Sequence, residues 1–431
     1  MVNLMDFLKD KEERVEYQKK LIEKYGLPLL TIRTNIPGKD KNIILANNIT
    51  EELSKELDLI FEKKIVFKER FENLEGLFYI FIIKEEVYEI KNKTIVFEET
   101  NELGRCVDVD VYKTDGKSIT RKELGFSQRK CFICENSAHS CARSMKHSFY
   151  ELYNFLEEKY RNYLSHKLAM KAVESAIYEL STSPSFGLVS PITSGSHEDM
   201  NFYSFIASSF SIEKGFYETA RIGYSNLEIS KAFILSREIG KRSEKAMMKS
   251  TGNVNTHKGF IFLMGILILA VSRSYYLGEG IEKVPHIVKE ISKNILNDFV
   301  GIEKKEKLTN GEKLYLKYGF KGIRGEVENG LSKVFKFILP FYFEKIKKFD
   351  CNLASSMTLI YIMSILEDST IVHRHGIEML EKVKKETESL INVSDLKILE
   401  EYEDKCIKNR VSPGGSADIL AVTIFLCKVY Y

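Results

Sequence analysis

Thr251-Gly252-Asn253-Val254-Asn255-Thr256-His257-Lys258-Gly259 runs without a break into the apolar residues 260–271. A polar, glycine-punctuated loop that feeds an apolar run marks the entrance to a buried helix. The run is shorter than the roughly 20 residues a bilayer span requires, so it is expected to be a core helix of a soluble domain. Such a loop either offers backbone amides and a Lys to phosphate oxygens or caps the helix through Asn and Thr. The residues alone leave both readings open.

Outward from this stretch the pattern is helical from about residue 166 to the end. Helices are expected over 168–180, 199–210, 226–249, 286–295, 331–348, 353–366 and 417–430. Residues 1–165 have another texture. A helix over 6–25 stops at Gly26 before Pro28, and a strand over 29–32 ends in the turn Asn35-Ile36-Pro37-Gly38. Residues 77–83 form a buried strand candidate, and 106–111 alternate apolar with acidic. The expected organisation is an α+β domain over 1–165 followed by an all-α domain over 166–431. The charged stretch 157–167 has no turn chemistry, so a helix is expected to join them.

The chain has 431 residues, 44% hydrophobic and 29% charged, with a net charge of +3. A charge this balanced, with basic and acidic residues interspersed, argues against nucleic acid or an acidic membrane as partner. No apolar segment near the start suggests secretion. The seven cysteines, odd in number and mostly isolated, suit a reducing compartment; a cytoplasmic protein is expected. Neither G-x-G-x-x-G nor G-x-x-x-x-G-K-[ST] occurs, so neither a Rossmann nor a P-loop site is supported.

In the first half, Asp108-Val109-Asp110 puts two carboxylates on one face of a strand. That pair can hold Mg2+ against a phosphate chain, or can simply be a solvated acidic face. Arg105 and Arg121 can neutralise phosphate or pair with the aspartates. Arg129, Lys130, Arg143, Lys146 and His147 add positive charge suited to phosphate or to an acidic protein. Cys131-x2-Cys134-x6-Cys141, near His139 and His147, raises the question of Zn2+. Its spacing lies outside the paired C-x2-C arrangements, so thiols in a turn without metal are preferred.

This half resembles the apo-citrate lyase phosphoribosyl-dephospho-coenzyme A transferase family. The likeness rests on Asn35-Ile36-Pro37-Gly38 with Lys41, on Gly104-Arg105-x-x-Asp108-x-Asp110-Val111 and on Arg129-Lys130-Cys131-x-x-Cys134. It continues through Ala138-x-x-Cys141-Ala142-Arg143-Ser144-x-x-His147. The resemblance implies a nucleotidyltransferase-like domain that attaches a prosthetic group to a serine of the citrate lyase acyl carrier (gamma) subunit, releasing pyrophosphate. Asp108 and Asp110 would be catalytic and metal-binding, with Arg105, Arg121, Arg129 and Arg143 on substrate.

In the second half, polar clusters interrupt the helices at 181–184, 195–200, 322–326, 368–375 and 412–418. Carboxylates recur among them, which suggests one shared cavity between helices. Gly414-Gly415-Ser416 is a glycine turn entering a helix, read either as an anion site or as plain capping. Together with the opening loop, these clusters are similar in order to the triphosphoribosyl-dephospho-coenzyme A synthase family.

That resemblance implies ATP and 3'-dephospho-coenzyme A as substrates, with adenine displaced and the triphosphate retained. Such a step needs carboxylates for proton transfer or developing positive charge and cations for the triphosphate. On this basis Lys258 and Arg324 would clamp phosphates, with Asn255, Thr256, Glu326, Arg374, Gly414, Gly415 and Ser416 also on substrate. Mg2+ would be held among Glu198, Asp199, Asp368 and Asp418, and His257 or His197 would act as acid or base beside Glu198. The chain departs from the family pattern at Asn253 (usually Gly), Ser185-Phe186 (basic residue and Pro), Ser190 (Asp) and His375 (Gly). Asn253 tolerates left-handed backbone, so its turn is expected to survive. The rival readings are the same chemistry serving malonate decarboxylase and a non-catalytic adapter for carrier protein and nucleotide. The charged set Asp108, Asp110, Lys258, Asp368 and Asp418 speaks against an adapter.

Overall fold

The structure, a computed structural model, describes residues 4–431. The chain divides into two compact units, Met1–Tyr163 and Leu164–Tyr431. The division falls inside one 32-residue helix, Phe149–Leu180, which accounts for the missing turn chemistry in this stretch.

The first unit is built on a four-stranded sheet. Its strands are β1 (Leu29–Thr34), β2 (Ile65–Asn73), β3 (Gly76–Ile83) and β4 (Val107–Tyr112), in the order β2-β3-β1-β4. All neighbours are antiparallel. β3 is buried along its whole length, so it reads as a continuous apolar run without alternation. On one face Phe78, Ile80 and Ile82 pack with Leu21 and Ile22 of the helix Leu4–Tyr25. On the other, Thr34 and Tyr79 bond to the helix Ile44–Ile60 through Ala46 O and Glu51. β2 was not anticipated. It is an edge strand whose Lys68, Glu69 and Arg70 face solvent in part, and charges on an edge hide the strand pattern while discouraging edge-to-edge pairing.

β4 forms the opposite edge. Val107, Val109 and Val111 are buried while Asp108 and Asp110 are not, as period 2 requires. The register sets Asp108 opposite Arg33 and Asp110 opposite Thr31.

The second unit is all helical among its described residues. The helix Lys258–Leu277 packs against Glu213–Gly223, Ile229–Ser250, Val284–Ser292 and Gly414–Tyr430. It is longer than the apolar run 260–271, because Ser272, Arg273 and Ser274 continue it, buried, until Gly278 stops it at φ 69. By length and composition it could cross a membrane, yet nearly all of 260–274 is buried among neighbouring helices. An element that is apolar on every side and surrounded by helices is a core helix. The expected helix over 199–210 begins later, at Phe202, because Asn201 caps it in a reciprocal box with Ser204. The expected helix 331–348 is broken by Leu331 at φ 54 and by a wide turn at Val334–Ile338 before Leu339–Ile346.

Candidate active sites

The first unit holds a cavity of ≈ 840 Å³, a size that suits a nucleotide-like ligand. Lys41, Arg105, Arg121, Arg129, Lys130 and His147 line it together with Glu98 and Glu99, so its wall is basic on balance. Asp108 and Asp110 are not on that lining; Arg129 is the link. Its guanidinium donates to Asp108 Oδ1 at 2.7 Å and to Val107 O at 3.0 Å, and also pairs with Glu98. Glu98 is buried on the helix Val87–Thr100, accepts from Arg121 at 2.9 Å and from the Val109 amide at 3.0 Å, and so organises two of the expected arginines. Sequence reasoning missed Glu98. Its only signal was a carboxylate on a weakly amphipathic helix just upstream of the D-x-D.

Arg105 serves the backbone, donating to the carbonyls of Lys130 (3.0 Å) and Cys131. Arg143 is exposed and lies beside His139, off the main cavity. Burial, then the nearby Arg33, pulls the Lys41 ammonium below its ordinary range, against the opposing pull of Asp108. The fold gathers the thiols of Cys131, Cys134 and Cys141 with His147 into one cluster.

In the second unit the two glycine-bearing helix starts meet. A Cβ at Gly259 would lie 2.0 Å from Asp418 Oδ2, and one at Gly415 would lie 3.2 Å from the Asp368 carboxylate. Asp368 is buried and caps its own helix, Ser369–His375, accepting from the Thr370 amide at 2.9 Å. Its other oxygen accepts from Ser416 N at 2.7 Å and Ser416 Oγ at 2.9 Å. The anion at the Gly414-Gly415-Ser416 turn is therefore the protein's own carboxylate, which favours the capping reading there.

A third carboxylate, Glu179, completes the group and was not foreseen. It is buried near the end of the helix Phe149–Leu180, and burial pushes it up to about 8. Asp418 is pushed well above the carboxylate range by burial, then by the charges of Glu179 and Asp368. Burial also raises Asp368, against its hydrogen bonds. The stretch Ala172–Leu180 carries two glutamates, Glu174 and Glu179, and nothing in the sequence sets the second apart.

The other predicted residues are dispersed more widely. In the opening loop Asn255 Oδ1 accepts from the Lys258 amide at 3.2 Å, which is a cap, and Gly252 and Asn253 take the left-handed turn at φ 65 and 71. Thr256 donates to Ser208 Oγ at 2.7 Å, and Ser208 Oγ shares a hydrogen bond of 2.6 Å with His257 Nδ1. His257 is buried against Phe205 and Phe260, and burial lowers it to about 3, so it is a neutral packing residue near neutral pH. Lys258 is exposed and paired with Glu244 at 3.1 Å. Arg324 lies over the rings of Phe262 and Phe299, 3.4 Å from Asp298. Glu326 pairs with Lys333 at 2.7 Å.

His197 is better placed for chemistry. Arg374, which can only donate, lies 3.2 Å from Nδ1, so Nε2 carries the hydrogen and donates to Ser412 Oγ at 2.8 Å. Burial, then Arg374, lowers His197 to about 4. Glu198 and Asp199 do not start a helix. Glu198 is exposed and pairs with Arg410 at 3.1 Å, and Asp199 is exposed 3.9 Å from His197.

A basic cavity beside a D-x-D edge strand, and a helical unit with three clustered carboxylates, define a two-headed transferase of phosphorylated substrates. Residues 165–430 match the family described as CitG: ATP:dephospho-CoA triphosphoribosyl transferase. Residues 2–163 match CitX: apo-citrate lyase phosphoribosyl-dephospho-CoA transferase. Protein CitXG of Leuconostoc mesenteroides subsp. cremoris is 29% identical over 99% of this chain and 97% of its own. Protein CitXG of Haemophilus influenzae is 30% identical over 98% and 96%. The 2-(5''-triphosphoribosyl)-3'-dephosphocoenzyme-A synthase of Haemophilus ducreyi is 32% identical over 69% of this chain and all of its own. The chain belongs to the triphosphoribosyl-dephospho-CoA synthase family, fused to an apo-citrate lyase transferase domain, and is a bifunctional transferase of citrate lyase prosthetic-group synthesis.

Proposed function

We propose that the second unit joins ATP to 3'-dephospho-CoA and that the first unit passes the product to a serine of the citrate lyase acyl carrier (gamma) subunit. The meeting of Glu179, Asp368 and Asp418 at the Gly259 and Gly415 helix starts carries this reading. In the first reaction the 2'-hydroxyl oxygen of dephospho-CoA bonds to the anomeric carbon of ATP, and the bond to adenine breaks. Glu179, protonated near neutral pH, gives its proton to the leaving adenine, and the carboxylate so formed takes the hydroxyl proton as the new bond forms. The resulting positive charge on the ribose is stabilised by the remaining carboxylates. In the second reaction the carrier serine attacks the α-phosphorus and pyrophosphate leaves, with Arg121 and Arg129 on the phosphates.

Both steps suit Mg2+, which would offset charge on the phosphates. The residues fit it: Asp418 and Asp110 have no hydrogen-bond or ion-pair partner among the described residues, and Mg2+ commonly takes only one or two carboxylates plus phosphate oxygens and water. Asp110 with Asp108 would hold it in the first unit, and Asp418 with Asp368 in the second. The first unit is read as nucleotidyltransferase-like from its antiparallel sheet and edge D-x-D. Seven free thiols suit a cytoplasmic setting.

The test is incubation of the purified chain with ATP, Mg2+ and dephospho-CoA, followed by chromatography and mass spectrometry. Free adenine in step with a triphosphoribosylated coenzyme is expected; adding apo-carrier should then give a mass-shifted carrier and pyrophosphate. ADP and phosphate in place of adenine would overturn the reading.

A further inference from the structure

We propose that Cys131, Cys134, Cys141 and His147 form a structural Zn2+ site that staples the basic wall of the first unit's cavity. The inference is independent of the catalytic reading above. One ligand atom from each residue lies within 4.8 Å of all the others, and no other such group occurs among the described residues. Cys134 Sγ is 3.5 Å from Cys141 Sγ and 3.3 Å from His147 Nε2. A tetrahedral Zn2+ with bonds of about 2.3 Å to sulfur and about 2.1 Å to nitrogen needs ligand separations of about 3.5 to 3.8 Å. Modest relaxation of this cluster would admit the ion.

The surrounding chain explains why a metal is needed. Between Ile119 and Leu156 the only buried residues are Cys131 and Cys141. The segment therefore has no apolar core of its own, yet it folds into defined turns. These include a bridge between Lys130 and Ser137, the short helix Ala138–Ser144 and a left-handed Met145 at φ 46 that brings His147 round. Segments too small to bury a core are held by disulfides or metal. Three thiols and an imidazole at one point would leave a thiol over if two formed a disulfide, whereas all four groups are used if they bind zinc. The amides of Ile133 and Cys134 donate to the Cys131 sulfur, and Lys146 Nζ is 3.7 Å from Cys134 Sγ. With a metal bound, three anionic sulfurs around one dication would leave a negative charge, which these donors would offset.

Spacing alone pointed away from zinc because the ligands arrive singly after Cys134. The helix and the left-handed residue, rather than a second C-x2-C, complete the set. The same segment carries Arg129 and Lys130, so the ion would fix the cations that line the cavity.

The test is metal analysis of the untagged full chain purified without chelator. About one Zn2+ per chain is expected, released in step with titration of the cluster thiols by a mercurial. Cobalt exchange should give the visible bands of tetrahedral thiolate-bound Co2+. Cys134→Ser should lose the metal, His147→Cys should keep it in an all-thiolate site, and Cys427→Ser should leave it unchanged. A wild-type chain with negligible zinc, a Cys134–Cys141 disulfide in a non-reduced peptide map, or zinc that survives Cys134→Ser would each overturn the proposal.

Discussion

Gly259 and Asp418 sit so close that a methyl group at position 259 would lie 2.0 Å from Asp418 Oδ2. The obstacle is a side-chain end rather than backbone, so the chain can accommodate alanine by turning the carboxylate away. Gly259→Ala should therefore fold, with a loss of about 1 to 3 kcal/mol from overpacking. Its adenine release should fall roughly 100-fold, the scale of a misplacement of about 1 Å at a reacting group. Carrier modification from pre-made triphosphoribosyl-dephospho-CoA should be unchanged. Equal loss in both assays would show a general folding defect instead.

Neither Asp418 nor Glu179 has a side-chain hydrogen-bond partner among the described residues, and burial, then the like charge of Glu179 and Asp368, raises the proton affinity of Asp418. Asp418→Asn removes that repulsion while keeping the shape. Thermal unfolding of the variant should occur at the wild-type temperature or above it. Adenine release should drop by about 10²- to 10³-fold, the scale of lost charge stabilisation in the transition state. A variant that is both active and unchanged in stability would remove Asp418 from the reaction.

Glu179 makes the stability of the second unit depend on pH. Its ordinary value is 4.5 and burial holds the folded group at about 8. Between these values the folded chain binds the extra proton, so this contribution is complete below the lower value and is lost as pH rises through the upper one. Urea midpoints taken at about pH 6 and about pH 8 should differ by about 2 kcal/mol in unfolding free energy. Glu179→Gln should remove most of that difference. An identical pH dependence in the variant would assign it to another group.

Much of the fold was legible because its signals are local. The β4 alternation, the β3 apolar run and the polar loop before Lys258 each report the period or punctuation of their own element. β2 was not, because an edge strand with Lys68, Glu69 and Arg70 lacks a clean apolar face. Local turn chemistry singled out Asp368, Gly415 and Asp418, and the fold brings their helix starts together. Glu98 and Glu179 were invisible because what makes them special is burial beside residues distant in sequence. His257 shows the converse. Its place in a polar motif suggests proton transfer, but Ser208 and two phenylalanines enclose it.

Glu98 offers the sharpest separation of the two activities. It is the shared partner of Arg121 and Arg129, and it accepts the Val109 amide next to both aspartates of β4. Glu98→Gln keeps an acceptor for the amide but removes the charge that positions both guanidinium groups. Breaking such a buried arrangement costs about 3 kcal/mol, because the arginines remain partly buried without their counter-ion. Arg129 would then be held by Asp108 and the Val107 carbonyl, drawing that carboxylate further from any metal. Pyrophosphate release with apo-carrier should fall by roughly 10- to 100-fold, while adenine release by the second unit stays at the wild-type rate. The measurement is both assays on one preparation, with unfolding followed in parallel. Retention of carrier modification in a destabilised Glu98→Gln chain would mean that Glu98 supports the sheet edge without setting the arginines, and that the phosphates are held elsewhere on the cavity wall.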